Sequence, residues 1–430
     1  MNNVDFSDFS ENVSKLMQTI YPDIVRKMLF GDQLSEFMTV VPNVEGAYTI
    51  PSAIISSLLQ GYQTGLTAKG KATVTPNILV TERQKVDFPY DPIDYYDLYI
   101  SAINKQGLTA SQHPFELWMV NYIVEKWIED FELNAAIGTK KTITEGVPSQ
   151  AKHSLTGYYT IIKQKIKKGT VIPVKTGTWT ASTILEYTED FIDLIDEVYQ
   201  YKSMNLLMSI KDSRAYSKDY RTEFGVNAGI PTSQEVIKNV YDSGTTVRGT
   251  IAQKGLNFML ATPPENFFKT VSRRNPRPLE SQKIGRQHWF LHDAGQAMGF
   301  ALDAMIFFAG QPIEAATALA AADIATTTAS AKWEEVTEAT GYRLDVSTDA
   351  DFSTFVGVYE NKAIDLSSLA KESITLLDGT VSEQYVLSDS ITGLTTGTTY
   401  YYRVRAELQV EGSATIYTSD NSNVIEFETA

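Results

Sequence analysis

Cysteine is absent from the 430 residues. Its absence excludes disulfide scaffolds, thiol nucleophiles and cysteine metal clusters, and leaves the redox compartment unmarked. No run of about 18 apolar residues occurs, so no membrane-spanning helix is expected. Histidine is scarce: His113, His153, His288 and His292 are the whole supply. The first residues, MNNVDFSDFSENV, are acidic and polar, unlike a secretory signal. A basic excess is missing too. With 37 basic against 52 acidic side chains the formal charge is -15. That argues against a dedicated nucleic-acid binder and leaves room for a local basic face.

What is present suffices for real cores, since 43% of the residues are hydrophobic. The length suggests roughly two to four domains. The clearest signal lies near the end. Leu394, Gly397, Thr398, Tyr400, Tyr402, Val404 and Ala406, within LTTGTTYYYRVRA, read as a turn feeding a strand. They set a small β-rich tail apart from the body.

Along the body, residues 6–30 show apolar Phe9, Val13, Leu16, Met17, Ile20 and Ile24 at helical spacing. Pro22 kinks or splits the run. It packs on its own body or reaches a neighbour as an arm. Residues 37–100 read as extended, a long two-stranded excursion with a glycine-rich tip around GYQTGLTAKGKA. The strongest helix is expected over 109–138, with Pro114 in the first turn and Gly138 at the end. Residues 140–180 read as β-prone and basic, with Lys163, Lys165, Lys167 and Lys168 together. Thr183 and Glu186 fit a capping box. The helix after it carries Ile184, Tyr187, Phe191, Leu194, Ile195 and Val198 on one face. NLLMSI at 205–210 reads as a buried strand and KDSRAYSKDYRTEF as a polar helix. TTVRGTIAQ and LNFMLATPP continue the alternation, and QHWFLHDAGQAMGFALDAMIFFAG closes the body. Residues 313–328, rich in Ala and Thr, form a linker or a first edge strand. The fold class is α+β followed by an all-β sandwich.

Motifs for chemistry are weak. GLTAKGKA at 65–72 nearly matches a P-loop, but Ala72 replaces the magnesium-binding Ser or Thr and Pro76 stands where a helix should run. His288 and His292 have helical zinc spacing without the HExxH glutamate, and a strand would separate them. Neither G-x-S-x-G nor G-x-G-x-x-G occurs. Paired carboxylates need no local motif, and among 52 acids a chance pair carries no weight. No catalytic, cofactor or metal residue is assigned, and no enzyme is expected. A cluster of Arg273, Arg274, Arg277, Lys283 and Arg286 stands against a single Glu280. It is a solvated loop, a dock for an acidic neighbour, or a contact to phosphate backbone.

The order of parts resembles the major capsid protein of tailed bacteriophages, the Hong Kong 97-type fold. The matching parts are an arm at 1–45, an E-loop at about 46–90 and a spine helix at about 113–138. The rest of the shell body, to 312, matches its A- and P-domains. The tail, 313–430, resembles a fibronectin type III or immunoglobulin-like domain. Trp333, Tyr342 and Tyr400 would be core residues, with Tyr400 at the tyrosine-corner position. The stretch 358–390 is longer than that family's usual connection.

The resemblance implies a virion protein that self-associates as pentamers and hexamers into an icosahedral shell in the host bacterial cytoplasm, with no cofactor and no membrane. Gly61, Gly65, Lys69 and Lys71 would form an inter-subunit loop tip. Portal, decoration or scaffolding proteins would be partners, packaged DNA a non-specific one, and a glycan or host-surface ligand a target of the tail. No cross-linking pair is assigned, and no fused scaffolding segment is expected. The competing classes are another virion part, of tail or head decoration, and a secreted carbohydrate-active enzyme with a fibronectin-like spacer.

Overall fold

The computed structural model describes residues 12–13, 15, 27, 31–50, 53–55, 57–74, 76–107, 109, 114–200, 202–224, 240, 244–272, 280–284, 287–366, 369–375 and 381–430. Six strands come first: β1 (Thr39–Val44), β2 (Ala47–Ile50), β3 (Ala53–Ile55), β4 (Ala72–Val74), β5 (Asn77–Val80) and β6 (Glu82–Tyr90). β2 pairs antiparallel with β5, and β3 with β4, so the chain builds a two-stranded arm ending in residues 57–71. Gly46, at φ 76°, turns the chain into the arm, a conformation that strains most side-chain-bearing residues.

The extended reading of 37–100 fails at its end, where α1 (Pro92–Gln106) is a helix. Asp91 caps it by accepting the Ile93 N–H at 3.1 Å. Pro92 needs no partner in the first turn, and Gly107, at φ 67°, stops the helix. The β-rich sequence behind that reading ends with β6, before this segment. Tyr96 and Tyr99 pack on Phe115 at 5.8 and 5.2 Å between ring centroids.

Phe115 opens α2 (Phe115–Asn134), whose 20 residues make a rod of about 30 Å. It is shorter than expected at both ends. Pro114 lies outside as the N-cap, and the last turn loosens before Gly138. Gly138 serves a close approach instead. Its carbonyl accepts the Gly157 N–H at 2.9 Å. A Cβ on Gly157 would stand 2.1 Å from the Ala136 carbonyl oxygen.

The β-prone reading of 140–180 is corrected by α3 (Tyr158–Lys167), which buries Tyr158, Tyr159, Ile162 and Ile166 at helical spacing. β7 (Lys175–Thr176) and α4 (Ile184–Asp193) follow. The capping box does not form: the Thr183 hydroxyl accepts the Thr180 N–H at 2.9 Å, and α4 starts without a side-chain cap. Ile184, Tyr187, Phe191 and Ile195 are buried as expected, whereas Leu194 and Val198 are exposed.

Next come β8 (Met204–Ser209), α5 (Ile210–Phe224), β9 (Thr245–Thr250) and β10 (Phe258–Thr262). The body ends with β11 (Phe267–Ser272), β12 (Glu280–Ile284), β13 (Gln287–Phe300) and β14 (Phe307–Gly310). One sheet runs β7-β14-β10-β8-β9. Every residue of β8 is buried, and Phe191 of α4 and Tyr216 of α5 share its core.

The other body sheet is built on β13. β6 lines one side, from Tyr90 opposite His288 to Glu82 opposite Gln296. β12 and β11 share the other side, and β1 adds to β11 in parallel. α2 lies on this sheet, with Met119, Val120, Ile123 and Val124 in one cluster with Tyr90 and Phe290. Val13 joins that cluster at 1% exposure, so this part of the amphipathic run packs on its own body. Most of residues 1–30 lie outside the described residues.

The tail contains β15 (Ala318–Ala322), β16 (Thr328–Glu334), β17 (Gly341–Ser347), β18 (Lys362–Asp365), β19 (Ala370–Thr375), β20 (Val381–Thr392), β21 (Thr399–Gln409), β22 (Ile416–Thr418) and β23 (Ile425–Glu428). One sheet is β15-β16-β20-β19. The second is β18-β17-β21-β22, with β23 also on β21. Trp333 of the first meets Tyr342 of the second at 5.5 Å. Residues 313–328 thus supply an edge strand, and the long 358–390 stretch supplies β18, β19 and most of β20.

The tail is clamped to α3. The buried Lys163 ammonium bonds Glu314 at 2.9 Å, Gln164 bonds Glu338 at 3.0 Å, and the Lys167 carbonyl accepts the Glu411 N–H at 2.7 Å. The basic run at 163–168 is therefore largely a joint rather than a free basic face.

Candidate assembly surfaces

The arm tip is where the described chain most departs from a soluble surface. Leu59, Tyr62 and Leu66 are 88%, 93% and 108% exposed. Such a group is unusual on a monomer. The tip is tied to itself. Lys69 donates its ammonium to the Leu59 carbonyl. Gln60 donates to the Thr67 carbonyl at 3.0 Å, and the Thr67 hydroxyl to Gln63 at 2.9 Å. Gly70, at φ 94°, sits where a Cβ would lie 2.4 Å from a Leu58 methyl. Gly61 and Gly65 face open space. Lys71 is followed by strand β4 rather than a helix, so the phosphate cradle of a P-loop has no scaffold here.

Of the basic cluster, Arg273, Arg274, Arg277 and Arg286 lie outside the described residues. Lys283 lies on β12 opposite His288. Burial, then the Lys283 charge, lowers the His288 pKa. His288 and His292 are both buried on β13. Four strand residues separate them by about 13 Å, too far to share a metal ion. Burial drives His292 down to about 4. Among the described residues no group of three His, Cys, Asp or Glu could hold a metal, and no helix is long and apolar enough to cross a membrane.

A cleft of about 280 Å³ lies at the arm root, lined in part by Asn77, Leu79, Glu82, Thr156, Lys165 and Met298. Its charged groups are already engaged. Glu82 accepts the Thr156 hydroxyl at 2.9 Å, and Lys165 pairs with Asp303 at 2.5 Å. These contacts tie β6 to the segment before α3, and α3 to the chain after β13.

Sequence reasoning missed the polar anchor between the arm side and the long helix. Lys269 of β11 reaches Asp32 at 2.5 Å with both side chains buried, and Ser35 at 3.0 Å. Its ammonium lies 4.5 Å from the Phe131 ring centroid. Burial lowers the Lys269 pKa, and burial raises that of neighbouring Glu132, which accepts the Gln33 N–H at 2.5 Å. A partner 237 positions away leaves no local signal.

In the tail, Trp333, Tyr342 and Tyr400 are buried at 0%, 0% and 3% exposure. The Tyr400 hydroxyl accepts the Thr395 N–H at 2.9 Å, and the Tyr342 hydroxyl the Val336 N–H at 2.8 Å.

No family model and no curated protein matches the chain. Solved structures do. The satellite phage P4 procapsid including size determination (Sid) protein is 14% identical, over 67% of this chain and 90% of that one, with a TM-score of 0.47. The capsid of the empty GTA particle is 12% identical over 64% and 88%, at 0.41. The virus-like particle from Pyrococcus furiosus is 11% identical over 70% and 99%, at 0.38. Similarity at this level carries no functional argument, and the functional reading rests on the geometry.

Proposed function

We propose that the chain is a structural major capsid protein, not an enzyme, that assembles through rings into an icosahedral shell around packaged phage DNA. The observation that carries the reading is the two-stranded arm. It leaves a well-packed body and ends in Leu59, Tyr62 and Leu66, almost fully exposed. Such an arm gains little by standing in water and much by lying on a neighbour. A heterologous contact of this kind closes into a ring when the rotation allows it, and many modest contacts then hold a shell. The 20-residue helix α2 on the β6–β13 sheet supplies a rigid body for those contacts.

On this reading residues 1–45 are an N-terminal arm, about 46–90, which include the two-stranded arm, the E-loop, about 113–138 the spine helix, and 46–312 the shell body as a whole. Residues 313–430 form an outward-facing fibronectin type III or immunoglobulin-like sandwich. The Tyr400–Thr395 bond supports that assignment, being the tie of a tyrosine corner. A glycan or host-surface ligand for the sandwich, portal, decoration or scaffolding partners, and non-specific contact with DNA belong to the same proposal. Electron microscopy and size-exclusion chromatography of the purified chain test it. Shells or five- and six-membered rings are expected; a persistent monomer that hydrolyses glycan would overturn it.

A further inference from the structure

Asp32 and Lys269 meet beneath α2, beside Glu132. The Lys269 ammonium stands 2.5 Å from Asp32 Oδ1, with the two side chains 0% and 1% exposed. At that separation the nitrogen lies about 3.5 Å from the carboxyl carbon, the range of a near-attack arrangement. Asp32 is held in place for it. Its Oδ2 accepts the Ser35 N–H at 3.0 Å, and its Oδ1 the Ser35 hydroxyl at 2.8 Å. Leu34, Phe37 and Phe131, all buried, share one core, and the Phe131 ring lies 4.5 Å from the ammonium. Glu132 follows Phe131 on α2 and accepts the N–H of Gln33, the neighbour of Asp32, at 2.5 Å. Burial raises the Glu132 pKa, with the Asp32 charge adding to it. Burial lowers that of Lys269, against the pull of Asp32 and Glu132. Both shifts favour neutral groups. Two charges at this depth are costly to keep out of water, and an amide carries none.

We infer that Asp32 and Lys269 are a self-modification site, at which the ion pair condenses to an intrachain amide between Lys269 Nζ and Asp32 Cγ. In that step the N–C bond forms, the Cγ–Oδ1 bond breaks, and two protons of the ammonium leave with Oδ1 as water. Charge is conserved, and no oxidant, reductant or co-reactant is required. The Ser35 N–H faces Oδ2, the oxygen on which charge develops during the attack. Glu132 is the ionisable neighbour placed to relay a proton from nitrogen to the leaving oxygen. Exclusion of water protects the product from hydrolysis. Only the minor proton-exchanged form, amine beside carboxylic acid, reacts. The ion pair therefore persists in the fresh chain, and the amide accumulates with time. The product closes a covalent loop across 237 positions. It tethers the segment before β1 to β11 and constrains the unfolded chain.

The intact mass of the purified full chain tests this. Over prolonged incubation at neutral pH the folded protein should become one water lighter than its sequence. Digestion should then yield a branched peptide joining Asp32 to Lys269, and the looped chain should run ahead of the linear one in a denaturing gel. Lys269→Arg keeps the ion pair and should stay at its sequence mass. Asp32→Asn should lose ammonia in place of water, because the side-chain nitrogen then leaves. Glu132→Gln should slow the loss about a hundredfold, with the circular dichroism unchanged. An incubated chain still at its sequence mass would overturn the inference. So would a lost water without the branched peptide, or the same loss in Lys269→Arg. None of these outcomes bears on the capsid reading.

Discussion

Lys269 and Asp32 form an ion pair at 2.5 Å with side chains 0% and 1% exposed. The pair joins the segment that precedes the arm to strand β11, beneath the long helix α2. Removing one partner strands a buried charge, whereas removing both leaves an apolar gap. Lys269→Met should therefore lower stability by about 3–5 kcal/mol. Lys269→Met combined with Asp32→Leu should recover most of that loss. Urea unfolding of the three proteins checks it; an equal loss in single and double variants would contradict it.

His292 gives a pH signature. Burial holds its pKa at about 4, against 6.5 unfolded, with Asp293 opposing the shift. Between these values the unfolded chain binds the extra proton, so stability rises with pH there and falls as pH drops from 6.5 towards 4. From pH 7 to pH 5 the wild type should lose about 2 kcal/mol more than His292→Gln. Parallel pH dependences for the two proteins would show that His292 is not buried neutral.

Much of this was legible where one local pattern decided the structure. β8 is an unbroken apolar run, and α2 has apolar residues around most of its girth. Helix α1 carries its own marks in Asp91, Pro92 and Gly107, which the extended reading of 37–100 passed over. In α3 the β-branched Thr160, Ile161 and Ile162 hid a helical spacing that tertiary packing realises. The exposed tip was readable from its glycines, but the glycine that matters is Gly70, pressed on Leu58, rather than Gly61 or Gly65. The Lys269–Asp32 anchor and the Lys163–Glu314 clamp join residues 237 and 151 positions apart, beyond any local pattern.

The tyrosine tie of the tail is open to a direct test. Tyr400→Phe leaves the Thr395 N–H without its acceptor and should cost about 1 kcal/mol. Thermal unfolding of wild type and variant side by side reads this. An unchanged midpoint would remove the tie from the account.

The division into body and tail depends on where the chain is cut. Ile313 and Ala316 belong to the core shared with Tyr158 and Tyr159, and Glu314 pairs with Lys163. A chain ending at Thr317 should fold, while one ending at Pro312 should be at least about 2 kcal/mol less stable through the lost Ile313 burial alone. Denaturant titration separates them. Failure of both to fold would mean that the body cannot fold without the tail, whose Trp333 and Tyr342 share its core.

The central claim is that the exposed arm exists to build a shell, and electron microscopy of the intact chain beside a deletion of residues 61–72 tests it most directly. The account predicts shells or rings from the intact protein, and a folded monomer with unchanged circular dichroism from the deletion. Normal shells from the deletion, or a lasting monomer from the intact chain, would contradict it.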